Sequence, residues 1–234
     1  MEGRYPAGIM FVLCNSDPKL EEDFNHWYNH THLGEVGAPG LFVNATRYVN
    51  PSAKATAEDP KYLAVYETDR GDPAAAWNEN MPIVQEARRK IGGKPHPGLK
   101  VAMAGVFKRT GYQYTAPSAH RTSSVLVTLT DTSAVMGDPE LQKWHTQVDA
   151  DLLATSIYWT VTRFVHTAPE AGKPKYLALY ESEENAPAAF KRLSEAGSRR
   201  PNGNPLNDKA VRYRGFFDLL FSVPREAMRS QGKG

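Results

Sequence analysis

Cysteine is nearly absent: Cys14 stands alone in 234 residues, so no disulfide can form within the chain. Its place in the apolar run Ile9 to Cys14 reads as a buried, inert thiol, and a reducing cytoplasm is the expected setting. Net charge is equally scarce, with 28 basic residues against 26 acidic ones and the signs interspersed. Without a basic stripe, neither nucleic acid nor a membrane surface is an expected partner. No apolar stretch approaches the roughly 20 residues that span a bilayer, and Met1 to Pro6 lacks the charged-then-apolar pattern of an export signal. Also missing are a Gly-rich phosphate loop, Cys-x-x-Cys, His-Glu-x-x-His and Gly-x-Ser-x-Gly, which disfavours nucleotide-dependent and zinc-hydrolytic chemistry. With 41% hydrophobic and 23% charged residues the chain can nonetheless build a packed core.

Self-similarity runs through the sequence. Pro60-Lys61-Tyr62-Leu63-Ala64-Val65-Tyr66-Glu67 matches Pro174-Lys175-Tyr176-Leu177-Ala178-Leu179-Tyr180-Glu181 at every position but one. Upstream, Ala45-Thr46-Arg47-Tyr48-Val49 pairs with Val161-Thr162-Arg163-Phe164-Val165, and Trp27 with Trp144; downstream, Gly105-Val106-Phe107 pairs with Gly215-Phe216-Phe217. The matches keep their order, which marks a tandem repeat with small loop insertions.

Each half reads as strand, helix, strand, strand, helix, strand. In the first, Ile9 to Cys14 is a strand and Pro18 to about His32 a helix, with Asp17 as N-cap and Pro18 in the first turn. Leu41 to Val49 and Tyr62 to Glu67 follow as strands, then a helix from Pro73 and a strand from Val101 to Phe107. The second half repeats this with strands at Ser124 to Leu129, Trp159 to Val165, Tyr176 to Glu181 and Val211 to Leu220. Its helices start at Pro139 and Pro187. A four-stranded antiparallel sheet with both helices on one face needs cover on the other. The expected class is therefore α+β: two ferredoxin-like βαββαβ repeats, residues 1–118 and 119–234, with their sheets packed face to face as one α+β barrel. Lys94 to Leu99, Arg199 to Asp208 and the linker around Pro117 and Ser118 read as loops, and the segment beyond Pro224 as a frayed tail.

The stretch Phe24-Asn25-His26-Trp27-Tyr28-Asn29-His30-Thr31-His32-Leu33, followed by Pro39-Gly40 and by Ala45-Thr46-Arg47-Tyr48, resembles the dimeric α+β barrel superfamily, above all its EthD-like branch. The superfamily includes cyclases, isomerases, dehydratases, cofactor-independent oxygenases and haem enzymes, so the resemblance implies a fold and leaves the reaction open. The second half departs from the motif: His145 follows Trp144, and Asp149 stands where the first half has His32. Nothing singles out an axial histidine, and no cofactor is expected.

On a helical wheel His32 lies at about 240°, about 40° from Tyr28 and at the border of the face that looks into the barrel. His26 and His30 fall on the opposite side, which argues against a metal site shared by the three and favours a solvated pair. His32 is the candidate general acid or base, since imidazole titrates near neutral pH, and its alternative role is a helix-end packing residue. Tyr28, one turn earlier, can offer a hydroxyl to a substrate oxygen. His145 and Asp149 form a second candidate catalytic pair, in which the carboxylate orients the imidazole; an exposed helix pair is the alternative. Candidate substrate-binding residues are Trp27, Arg47, Tyr66, Trp144 and Tyr180, with inter-element salt bridges the competing role for Arg47 and Arg163.

These residues point to a cofactor-independent lyase or isomerase that moves a proton on a small aromatic or apolar carbonyl or hydroxyl compound. A cofactor-free oxygenase of a phenol and a non-catalytic ligand-binding protein are the alternatives. The duplication removes the usual need for a dimer to complete the barrel, although homo-oligomers can still form.

Overall fold

Alternating apolar residues become strands, and Asp-Pro pairs start helices, as local chemistry dictates. The computed structural model describes residues 5–114, 120–132, 137–169, 173–198 and 210–223. Strand β1 (Gly8–Asn15) leads through a 3-10 turn at Pro18–Leu20 into α1 (Glu21–Trp27). A π-helical segment, Tyr28–His32, then joins α1 to α2 (Leu33–Gly37). Strands β2 (Asn44–Val49) and β3 (Tyr62–Thr68), helix α3 (Pro73–Lys90) and β4 (Lys100–Tyr114) complete the first series. The second comprises β5 (Ser124–Thr130), α4 (Asp138–Leu153), β6 (Thr160–His166), β7 (Tyr176–Ser182), α5 (Ala186–Ser198) and β8 (Val211–Val223). Asp17 caps the first turn by accepting the Lys19 N–H, and Asp72 caps α3 by accepting the Ala75 N–H, both at 3.0 Å. A cap of this kind stabilises its helix by about 1 kcal/mol.

The hydrogen-bonded strand order closes on itself as β1-β3-β2-β8-β5-β7-β6-β4, a closed eight-stranded barrel of the α+β class expected from the sequence. Every ladder with a described register is antiparallel. The chain divides into two compact units, one built on Pro6–Lys108 with the end of β8 from Leu219, the other on Arg109–Asp218. Strands β4 and β8 thus each change unit along their length. The linker around Pro117 and Ser118, the boundary at 118/119, the loop at Arg199 to Asp208 and the tail beyond Pro224 lie outside the described residues.

In the N-terminal unit the order β4-β1-β3-β2 places Met10, Val12 and Cys14 of β1, Tyr62, Ala64 and Tyr66 of β3 and Ala45 of β2 on one face. Phe24, Tyr28, Leu33 and Val36 pack against that face from the helical segment. The C-terminal unit has the corresponding order β8-β5-β7-β6, with Leu126, Val161, Ala178 and Tyr180 beneath Val148 and Leu152 of α4. Register makes two pairs of positions equivalent. Arg47 lies opposite Ala64 and Ala45 opposite Tyr66; Arg163 lies opposite Ala178 and Val161 opposite Tyr180.

Candidate active site

The helical segment departs from a regular α-helix where the sequence motif is densest. The Leu33 N–H reaches back five residues to the Tyr28 carbonyl, which defines the π turn. On a regular helix Trp27 and His32 would stand about 140° apart. The π turn instead stacks their rings at 4.8 Å between centroids with 11° between planes. Such turns recur at functional sites because they re-aim side chains. His32 also meets the Tyr28 ring edge-on at 4.8 Å. Tyr28 and Trp27 pack in the same core cluster as Tyr66 and Cys14, and the His32 ring lies edge-on to Tyr66 at 6.3 Å.

Two residues that the sequence reading missed fix the state of His32. Arg88, near the end of α3, lies with Nη2 at 3.2 Å from His32 Nδ1 and at 2.5 Å from Glu35 Oε2. A guanidinium has donors only, so Nδ1 accepts and the neutral ring carries its proton on Nε2. Glu35, at 3.6 Å from Nδ1, is within ion-pair range but beyond a hydrogen bond. Burial lowers the His32 pKa below its ordinary value of 6.5, and the Arg88 and Arg47 charges act in the same direction against Glu35. With His32 neutral, the Arg88 guanidinium at 2.5 Å is what holds the Glu35 carboxyl below its ordinary range. The site therefore holds a neutral imidazole whose Nε2–H is strengthened as a donor by a cation at the opposite nitrogen.

Behind His32, the Tyr66 hydroxyl donates to the Tyr28 hydroxyl at 3.2 Å, both buried. Burial raises the pKa of both phenols, so they remain protonated. Arg47 is fully buried, with its guanidinium carbon 4.2 Å from the Tyr28 ring centroid. Nη1 donates to Asn29 Oδ1 at 2.6 Å and Nη2 to Asn25 Oδ1 at 2.9 Å. Cys14, beside it, has its thiol pushed up to about 12 by burial and is neutral, as expected of a buried cysteine. Asn25 and Asn29 also escaped the sequence reading, although their spacing of four on the motif helix was a usable signal.

The second candidate pair is arranged differently from expectation. His145 and Asp149 are both buried, each 2% exposed, so they are not an exposed helix pair. Nor does Asp149 orient His145. Its carboxylate receives Arg163 Nε at 2.6 Å, Arg163 Nη2 at 2.5 Å and the Tyr180 hydroxyl at 2.7 Å. His145 Nε2 contacts the Thr130 hydroxyl at 2.8 Å, and Nδ1 is buried without a hydrogen-bond partner. Burial, followed by the Arg163 charge, drives its pKa down to about 3. Trp144, half-buried, packs against the hydrophobic cluster that includes Val148, Leu152 and Tyr180, with its ring 5.5 Å from that of His145. Arg163 thus takes the inter-element ion pair foreseen as the alternative role for the two arginines. Burial lowers its pKa, but Tyr180 and Asp149 more than reverse that, whereas burial prevails at Arg47.

Other features carry less chemistry. His26 and His30 are exposed, with centroids 4.8 Å apart, and among the described residues no group of three or more His, Cys, Asp or Glu side chains could hold a metal ion. His96, in the loop before β4, is fixed by the Gly98 N–H at Nδ1 and by Asp23 at Nε2, each at 3.0 Å. A cavity of about 250 Å³ in the C-terminal unit is lined by Tyr158, Trp159, His120 and Glu183 among others. Its Glu183 is paired with His120 at 3.1 Å. Among the described residues no helix is long and apolar enough to cross a membrane.

No family profile and no curated protein sequence matches the chain. Solved structures do resemble it. A protein of Fusobacterium nucleatum provisionally assigned as a monooxygenase superposes with a TM-score of 0.55 at 8% identity, over 95% of this chain and 96% of that one. An anthrone oxidase-like protein gives 0.52 at 5% identity over 96% of both chains. A mutant chlorite dismutase of Candidatus Nitrospira defluvii gives 0.53 at 8% identity over 98% of both. At such identities the likeness speaks to architecture alone, and the architecture it shows is the ferredoxin-like α+β barrel.

Proposed function

We propose that the chain is a cofactor-independent enzyme of the EthD-like branch that moves a proton on a small aromatic or apolar carbonyl or hydroxyl compound. In this reading the chain is a tandem repeat divided at about 118/119, and the N-terminal unit holds the working site. The observation that carries it is the contact of Arg88 Nη2 with His32 Nδ1 at 3.2 Å, which leaves Nε2 as the protonated nitrogen of a neutral ring. A neutral imidazole so placed donates from Nε2 to a substrate oxygen and so acidifies the adjacent carbon; solvent takes the carbon proton, the electron pair moves onto the oxygen that Nε2–H holds, and a solvent proton returned to carbon closes the cycle. The Tyr28 hydroxyl, which accepts from Tyr66, has its own proton left to offer the same oxygen. Trp27 and the Tyr28 ring form the aromatic wall for a flat substrate.

The test is solvent deuterium exchange into enolisable aromatic ketones, followed by NMR. Exchange that depends on His32 supports the reading; exchange at the uncatalysed rate across the panel counts against it. Oxygenation of a phenol without a cofactor is the second reading, since it begins with proton loss from a substrate hydroxyl held at His32. Oxygen uptake with phenolic substrates separates the two.

A further inference from the structure

Two sheet positions hold the same arginine and tyrosine, and the helices above treat the arginine differently. Arg47 with Tyr66 and Arg163 with Tyr180 occupy matching registers. In the C-terminal unit Asp149 completes the set: Arg163 Nε donates to Oδ2 at 2.6 Å and the Tyr180 hydroxyl to Oδ1 at 2.7 Å. In the N-terminal unit the residue five positions after the tryptophan is His32, which carries no charge at neutral pH. Arg47 Nε, the counterpart of the atom that holds Asp149 Oδ2, is buried with no hydrogen-bond partner. Its Nη atoms rest on neutral amide oxygens, and among the described residues no carboxylate forms an ion pair with it.

A buried cation among neutral groups is costly to keep, and it gains charge-assisted hydrogen bonds when an anion arrives. The groups around Arg47 are the Tyr28, Tyr62 and Tyr66 phenols, the Cys14 thiol and the Asn25 and Asn29 amides, and none of them carries a negative charge at neutral pH. The half-buried Trp27 and His32 form the edge of the layer that solvent reaches.

We propose that Arg47 anchors an organic oxyanion, which meets Arg47 Nε as the Asp149 carboxylate meets Arg163 Nε, while the Tyr66 hydroxyl turns from Tyr28 to donate to it as Tyr180 donates to Asp149. The proposal rests on the proton-transfer reading and narrows its substrate to a compound that bears negative charge on oxygen when bound. Two sources share that chemistry: an aromatic carboxylate, already ionised, and a phenol or enol that releases its proton to solvent on binding and leaves the electron pair on oxygen. Asp149, by the same argument, occupies the equivalent place in the C-terminal unit, so that position is already filled.

The test titrates the full chain with benzoate, with its neutral analogue benzamide, and with 4-nitrophenol at a pH below the probe's own pKa. The variants are Arg47→Met and His32→Ala, each checked for folding by circular dichroism and thermal unfolding. Expected results are saturable binding of benzoate over benzamide, or phenolate absorbance of bound 4-nitrophenol, weakened roughly 10- to 100-fold in folded Arg47→Met. A response to benzoate alone assigns the carboxylate source, and a response to nitrophenol alone the phenol source. Equal binding of benzoate and benzamide with nitrophenol bound as the neutral phenol, unchanged binding in Arg47→Met, or no saturable binding of any probe would overturn the proposal. His32→Ala separates the two claims. If it retains both oxyanion binding and wild-type deuterium exchange, the proton-transfer reading fails while the anion site stands.

Discussion

Replacing Arg163 by methionine should destabilise the protein far more than the same replacement at Arg47, although the two occupy equivalent sheet positions. At Arg163 the change removes two short donors from the Asp149 carboxylate and leaves it with the Tyr180 hydroxyl alone. The Asp149 side chain is 3% exposed, so solvent cannot take over. Breaking a buried pair in this way costs about 3–5 kcal/mol. At Arg47 no carboxylate is stranded, because Asn25 and Asn29 supply neutral oxygens, and a buried unpaired charge disappears. The loss of contact with the Tyr28 ring, worth about 2 kcal/mol in a desolvated setting, offsets part of that relief, so a net change within about 1–2 kcal/mol is expected. Urea unfolding, followed by tryptophan fluorescence and circular dichroism, measures both. Equal destabilisation by the two variants would refute the claim that only Arg163 is neutralised within the fold.

Four further outcomes follow from the same geometry. His145 has a folded pKa of about 3 against an ordinary 6.5, so the unfolded state binds its proton first. Its contribution to stability is complete above about pH 6.5 and is lost as pH falls toward 3, with a slope of up to about 1.4 kcal/mol per pH unit; urea midpoints of His145→Gln should be flatter over that window, and an identical profile contradicts the account. Tyr66→Phe removes the donor to Tyr28 and should cost about 1 kcal/mol of stability, while Tyr28→Phe should lower turnover less than His32→Ala does. Dialysis against a chelator should leave deuterium exchange unchanged, and about one equivalent of zinc, iron or copper lost together with activity would contradict this.

The fold was legible because strands and caps are written locally. Tyr62, Ala64 and Tyr66 alternate with Leu63 and Val65, and the Asp17-Pro18 and Asp72-Pro73 pairs start their helices as their chemistry requires. The α+β class and the antiparallel barrel followed from those signals. The π turn at Tyr28–His32 has no such signature, so a regular wheel separated Trp27 from His32 when their rings in fact stack. Arg88 was invisible for another reason: it sits in the basic last turn of α3 beside Arg89 and Lys90, a pattern that reads as a solvated helix end, and only tertiary folding brings it to His32. The pairing of Asp149 with Arg163 rather than with His145 is likewise set by the approach of α4 to β6, which sequence spacing does not encode.

The central claim is that His32 acts as a neutral donor through Nε2, and the pH dependence of deuterium exchange in wild type, His32→Ala and His32→Gln tests it most directly. Wild-type exchange should fall on acidification through an apparent pKa below 6.5, because a proton at Nδ1 breaks the contact with Arg88. His32→Ala should lower the rate roughly 10²- to 10⁴-fold and abolish that limb. His32→Gln, whose amide can still donate, should recover part of the rate without the limb. A folded His32→Ala protein with wild-type exchange and an unchanged pH profile would contradict the account.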